Sequence, residues 1–158
     1  MNLFEKLTHQ MTEAIESGLS LALHSKNQEV EPLHVVWGLI TNTSSVLNQA
    51  LNRASADKAA LELELKSAVD KFPKVSTVSK ENIKISKNLY RTLEAADGQS
   101  IKNGDSFIAV DSWLIANLGE SFLKDTLGKY IDLMELKKNL EASRAGRKID
   151  SQSADEKL

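Results

Sequence analysis

Residues 7–30 can be laid over residues 85–108 without a gap, and this match constrains the fold more than any other property of the chain. At the constant offset of 78, Leu7 meets Ile85, Met11 meets Leu89, Ile15 meets Leu93 and Val30 meets Ile108. Further on, Val36 meets Leu114, Gly38 meets Ala116 and Ile40 meets Leu118; after a small deletion, Leu47 and Leu51 meet Leu123 and Leu127. Apolar register alone would be a modest signal, because any two amphipathic helices can be slid together. Here the small residues, the turn lengths and the order of elements agree as well, which marks an internal duplication. The expectation is an all-α fold, two pseudo-symmetric four-helix repeats forming one compact helical domain. Repeat one covers about 1–73 and repeat two about 84–145, with a linker at 74–83 and a polar tail at 146–158.

The helices are read from their stripes and punctuation. Phe4, Leu7, Met11, Ala14, Ile15, Gly18, Leu19 and Ala22 recur at helical spacing, which predicts one helix from Phe4 to His24. Pro32 suits the first turn of the next, where its missing N–H is unneeded. Val35, Val36, Leu39 and Ile40 give that helix its buried side, and Thr41-Asn42-Thr43-Ser44 ends it. A short helix follows over Val46–Asn52, and another opens at Ser55, read as an N-cap, and runs to Pro73. In the second repeat Ser86 is the expected N-cap, with Ile85 stapled to Tyr90 and a stripe of Tyr90, Leu93, Ala96 and Ile101. Trp113, Leu114, Ile115 and Leu118 form the next helix, stopped by Gly119. Phe122, Leu123 and Leu127 make a short helix, and Asp132–Arg144 a longer one whose late cations, Lys137, Lys138 and Arg144, favour the negative helix end.

Catalytic chemistry has nowhere to assemble. The chain has no cysteine, so thiolate nucleophiles, thiolate zinc sites and disulfides are excluded. Its glycines stand singly, with no phosphate-cradling G-x-x-x-x-G-K-[ST] loop and no G-x-S-x-G elbow. His9, His24 and His34 lack metal-ligand spacing, so no metal is expected. With Lys+Arg 20 against Asp+Glu 22, nucleic acid is not an expected partner. No run approaches the roughly 20 apolar residues of a membrane span. The start lacks a signal peptide's basic and apolar regions, so a cytoplasmic, non-enzymatic domain is expected. Trp37 and Trp113 are expected in the core or between the repeats.

Several segments carry a family resemblance: Leu7-Thr8, Ala22-Leu23, Asn27-Gln28-Glu29-Val30-Glu31-Pro32-Leu33-His34, and Asn103-Gly104-Asp105-Ser106-Phe107-Ile108. Together they resemble the duplicated Clp N-terminal repeat, in its ClpB form, over about residues 1–145. The resemblance implies a substrate-engaging domain linked to a homohexameric, two-ring AAA+ ATPase. Such a machine disaggregates and threads stress-denatured proteins with a DnaK-type chaperone. ATP and magnesium would act in the parent's ATPase domains, with no cofactor here. An N-domain of a protease-associated Clp ATPase, or a free-standing helical adaptor for a folded partner, is the alternative. By resemblance the unfolded-client site falls on Thr8, Asp105 and Asp111, with Ala95 and Ser112 at two groove positions where ClpB domains carry Leu. Leu7 and Phe107 would supply neighbouring apolar surface.

Overall fold

The computed structural model describes residues 2–158. Among them lie eight α-helices: α1 (His9–His24), α2 (Pro32–Thr41), α3 (Val46–Arg53), α4 (Lys58–Asp70), α5 (Lys87–Asn103), α6 (Val110–Ala116), α7 (Ser121–Lys124) and α8 (Leu133–Arg144). Two-residue strands β1 (Glu29–Val30) and β2 (Lys84–Ile85) pair in parallel, Val30 opposite Ile85. A second parallel bridge joins Leu7 to Ile108. Moving both partners of the first pair by the repeat offset generates the second. Each repeat therefore lends the lead-in of its first helix to the chain just before the other repeat's second helix.

Helix starts follow the same symmetry. Thr8 and Ser86 are equivalent N-caps, their hydroxyls accepting from the amides of Met11 at 3.2 Å and Leu89 at 2.9 Å. After each first helix the chain turns through a left-handed residue, Lys26 at φ 60° and Gly104 at φ 75°. A lysine tolerates this conformation at a cost of roughly 1–2 kcal/mol, which glycine escapes. The α1–α2 hairpin crosses through glycine. A Cβ on Gly18 would come within 2.9 Å of the His34 carbonyl, and one on Gly38 would strike the Ala14 carbonyl. One apolar cluster spans both repeats, with Met11, Leu39, Leu47, Leu65, Leu93 and Trp113 fully buried. Trp37 packs against it half-buried, and the Trp113 indole donates to Thr92 Oγ1 at 3.0 Å.

Several expectations are corrected. The first stripe is broken: Leu3–Lys6 is a 3-10 turn, Leu7 is extended, and α1 starts only after Thr8. Helix α4 is capped by Asp57, which accepts from Ala60, while Ser55 sits in a turn at φ 53°. On α5, Tyr90 and Ile101 lie exposed, and Leu89, Thr92, Leu93, Ala96 and Ser100 form the buried face. Helix α6 ends at Ala116 on an Asn117 cap, ahead of Gly119.

The expected polar tail also folds back. Ser106 N donates to Ile149 O and His9 N to Gln152 O, both at 2.8 Å. Ile149 and Asp155 are each 1% exposed. These bonds satisfy backbone amides at the turn before α6 and at the first turn of α1, which would otherwise need water. The stretch after α4 pairs with the turn of repeat one in the opposite sense, Val75 N donating to the Lys26 carbonyl at 2.9 Å.

Candidate functional site

The acidic residues singled out by sequence meet on one guanidinium. Arg144 Nη1 donates to both oxygens of Asp105 at 2.8 Å, and its Nη2 and Nε to Asp111 at 2.7 and 3.0 Å. The three side chains are 10% exposed or less. Burial alone would lower the pKa of Arg144, but the hydrogen bonds and charges of Asp111 and then Asp105 outweigh it and raise it. Asp105 also accepts from Ile149 N at 3.0 Å. Arg144, the last-turn cation of α8, is thus also an internal counter-ion clamping the first turn of α6 to the end of α8. Paired, satisfied and buried, this triad holds shape.

Beside it, Thr8 Oγ1 donates to Asp155 Oδ2 at 2.8 Å, and Val110 N donates to the same oxygen at 3.3 Å. Burial pushes the Asp155 carboxyl up to about 6, against these two hydrogen bonds and with help from the charges of Asp111 and Glu156. Repeat one has a neutral counterpart. Glu31 N donates to His34 Nδ1 at 2.8 Å, leaving His34 Nε2–H to donate to Asn27 Oδ1 at 2.9 Å. Asn27 in turn donates to the Pro73 carbonyl at 3.3 Å. Burial lowers the His34 pKa to about 4, although the Glu31 backbone bond opposes it.

The seven residues read as a client site differ widely in exposure. Leu7, Thr8, Asp111 and Ser112 are buried, Asp105 is spent on Arg144, Phe107 is half-buried, and Ala95 alone is exposed. Asp105 and Asp111 come together on Arg144, while Thr8 is bonded to Asp155 beside them. The cavity next to this triad holds about 230 Å³, and most of the residues lining it are polar or charged, among them Gln99, Asn103, Glu141 and Arg147.

Apolar surface lies elsewhere. A larger cleft of about 440 Å³ opens between the repeats, where Pro32, Leu33, Ala68, Phe72 and Phe122 share the lining with polar residues, among them Glu31, Glu64, Asp125, Lys71 and Lys129. Lys129 and Tyr130 reach across it to Glu64 at 3.1 and 3.4 Å. The opposite seam is closed: α3 packs on α8, and Arg53 donates to Ser143 Oγ at 2.5 Å and Asn139 O at 3.1 Å. A second, shallower patch joins Leu3 and Phe4 to Tyr90 and Ile101. The cleft residues were hard to single out by sequence. Leu33 lies off the stripe of its helix, and Phe72 and Phe122 scan as ordinary core. The available signal was position, since all three flank helix ends at the junction of the repeats.

The model of the Clp repeat N-terminal domain matches residues 6–130. The chain belongs to that family. The Clp N-domain is 56% identical over all of its length to the chaperone protein ClpB of Wolinella succinogenes. It spans 18% of the length of that relative. Its fold resembles the Hsp104 N-terminal domain of Candida albicans, with a TM-score of 0.83 and 24% identity over 95% of this chain and 99% of that one. It also resembles a ClpV N-domain solved in complex with a VipB peptide, with a TM-score of 0.67 and 20% identity over 88% and 87% of the two chains. Among the described residues of this Clp N-domain, no helix is long and apolar enough to cross a membrane.

Proposed function

We propose that this chain is the client-engaging domain of a ClpB-type AAA+ chaperone, one that disaggregates and threads stress-denatured proteins together with a DnaK-type system in the cytoplasm. The observation that carries this reading is the 56% identity to a ClpB chaperone along the whole chain. The apolar surfaces at Leu33, Phe72 and Phe122, and at Phe4, Tyr90 and Ile101, support it, because unfolded clients offer exposed apolar segments. A related fold, that of ClpV, has been solved with a peptide. In this reading the chain itself performs no catalysis. ATP with magnesium is consumed in the rings of a homohexameric parent, and this domain holds clients weakly, at roughly micromolar affinity, before they are threaded.

The test has two arms. Titrating the 158-residue chain with unfolded casein should produce saturable binding that native, folded proteins do not. Deleting the domain from its full-length parent should slow DnaK-dependent reactivation of heat-aggregated luciferase. A chain that ignores unfolded casein, with a parent that reactivates equally well without it, would sink the proposal.

A further inference from the structure

The repeat symmetry creates two equivalent seats, one closed by the chain's own C-terminal segment and one left as the open cleft. The closed seat lies at the starts of α1 and α6. There His9 N holds the Gln152 carbonyl, Thr8 and Val110 hold the Asp155 carboxylate, and Arg147 Nη1 holds the Lys157 carbonyl at 3.2 Å. Leu158 packs against the core beside them. Exchanging the repeats turns Val110 into Pro32 and Asp111 into Leu33. Aligning α8 on α4 by their caps Asp132 and Asp57 turns Arg147 into Phe72. Pro32, Leu33 and Phe72 are walls of the open cleft.

Chemistry separates the two seats. Where Val110 offers an N–H to a carboxylate, Pro32 has none. Where Arg147 grips a carbonyl, Phe72 presents a ring, and Leu33 replaces an aspartate. Ala68 and Phe122 extend the apolar wall. Around it stand three acids, Glu31, Glu64 and Asp125, against Lys71 and Lys129, and Lys129 is already paired with Glu64. A segment as acidic as the chain's own Asp155-Glu156 would therefore lose the backbone donor that Val110 supplies and meet three carboxylates against two lysines, one of them already paired. An apolar segment flanked by cations would find both a floor and a complementary edge.

We infer that the cleft between α2, α4 and α7 is the client seat, taking a short segment with a bulky aromatic or branched aliphatic side chain flanked by lysine or arginine. This rests on the client-engaging reading and narrows it to one surface and one chemistry. At about 440 Å³ the cleft lies within the size range of ligand sites and admits one or two large side chains.

The experiment measures fluorescence anisotropy of a labelled peptide with a Phe-Leu centre and flanking lysines, beside its twin with flanking glutamates. The wild-type chain should prefer the lysine peptide. Ala68→Trp fills the cleft from a half-buried wall position and should weaken that peptide by about tenfold or more. Asp125→Lys, at an exposed edge position, should shift preference toward the glutamate peptide. Ile101→Ser, on the α5 patch, should change neither, and circular dichroism melts verify that each variant is folded. If the lysine peptide binds but responds to Ile101→Ser and not to Ala68→Trp or Asp125→Lys, the cleft assignment is overturned while the client-engaging reading stands. If neither peptide binds and unfolded casein does not either, both fall.

Discussion

The two repeats place the same turn in the same frame and secure it with opposite chemistry. In repeat one, Asn27 and His34 form a neutral, buried pair that reaches the chain after α4 through the Pro73 carbonyl. In repeat two, Asp105 and Asp111 clamp Arg144 and reach the chain after α8 through the Ile149 amide. Duplication preserves the demand, which is to satisfy buried backbone at an interhelical turn, and leaves the means free to diverge. It also leaves the surface free. The polar version is covered by its own C-terminal segment, and the apolar version keeps its cleft open.

The comparison breaks most visibly at Arg144. Arg144→Met strands two buried carboxylates and should cost about 3–5 kcal/mol, read as a lowered urea midpoint. The neutral lock should be weaker. His34→Leu leaves the Glu31 amide and Asn27 Oδ1 without a partner and should cost about 1–3 kcal/mol in the same assay. If the two substitutions prove equal, the charged and neutral locks are not energetically distinct.

Acid sharpens the contrast, on the order of 1–3 kcal/mol per group. The folded pKa of His34 is depressed to about 4, so its contribution is present above the unfolded value of 6.5 and is lost as pH falls toward 4. The folded pKa of Asp155 is raised to about 6, so its contribution is full below the unfolded 3.8 and is lost as pH rises through 6. Between pH 4 and 6 these slopes oppose each other, and the wild-type urea midpoint should change little from these two groups. Asp155→Asn should uncover a midpoint that falls steadily on acidification; an unchanged profile would remove Asp155 from the balance. The smallest effect concerns the caps. Thr8→Ala and Ser86→Ala should each cost about 1 kcal/mol. Thr8→Ala should also speed hydrogen exchange at the His9 and Val110 amides, because it releases Asp155.

Much of this frame was legible in sequence because duplication and helix caps are local signals. The offset of 78, Pro32 at a helix start, Ser86 as a cap, and the shared core positions are seen in the structure. The break at Leu7 was hidden because a 3-10 turn carries the apolar stripe across it. Arg144 is the last-turn cation that the sequence offers, but its partners lie 33 and 39 residues earlier, beyond any local charge pattern. The C-terminal segment was read as a tail because Ile149, Asp155 and Leu158 are few among polar neighbours, and its docking is mostly through backbone. Sequence also could not separate exposed from buried members of the expected client set: an acid three residues past Ile108 looks the same whether it faces solvent or an arginine.

The most direct test of the account is chemical-shift mapping of an unfolded client on the wild-type chain. It predicts perturbations centred on Leu33, Ala68, Phe72 and Phe122, with Thr8, Asp105 and Asp111 unmoved. Perturbations centred instead on Asp105, Asp111 and Ser112 would contradict it, and would mean that the buried triad opens to receive the client.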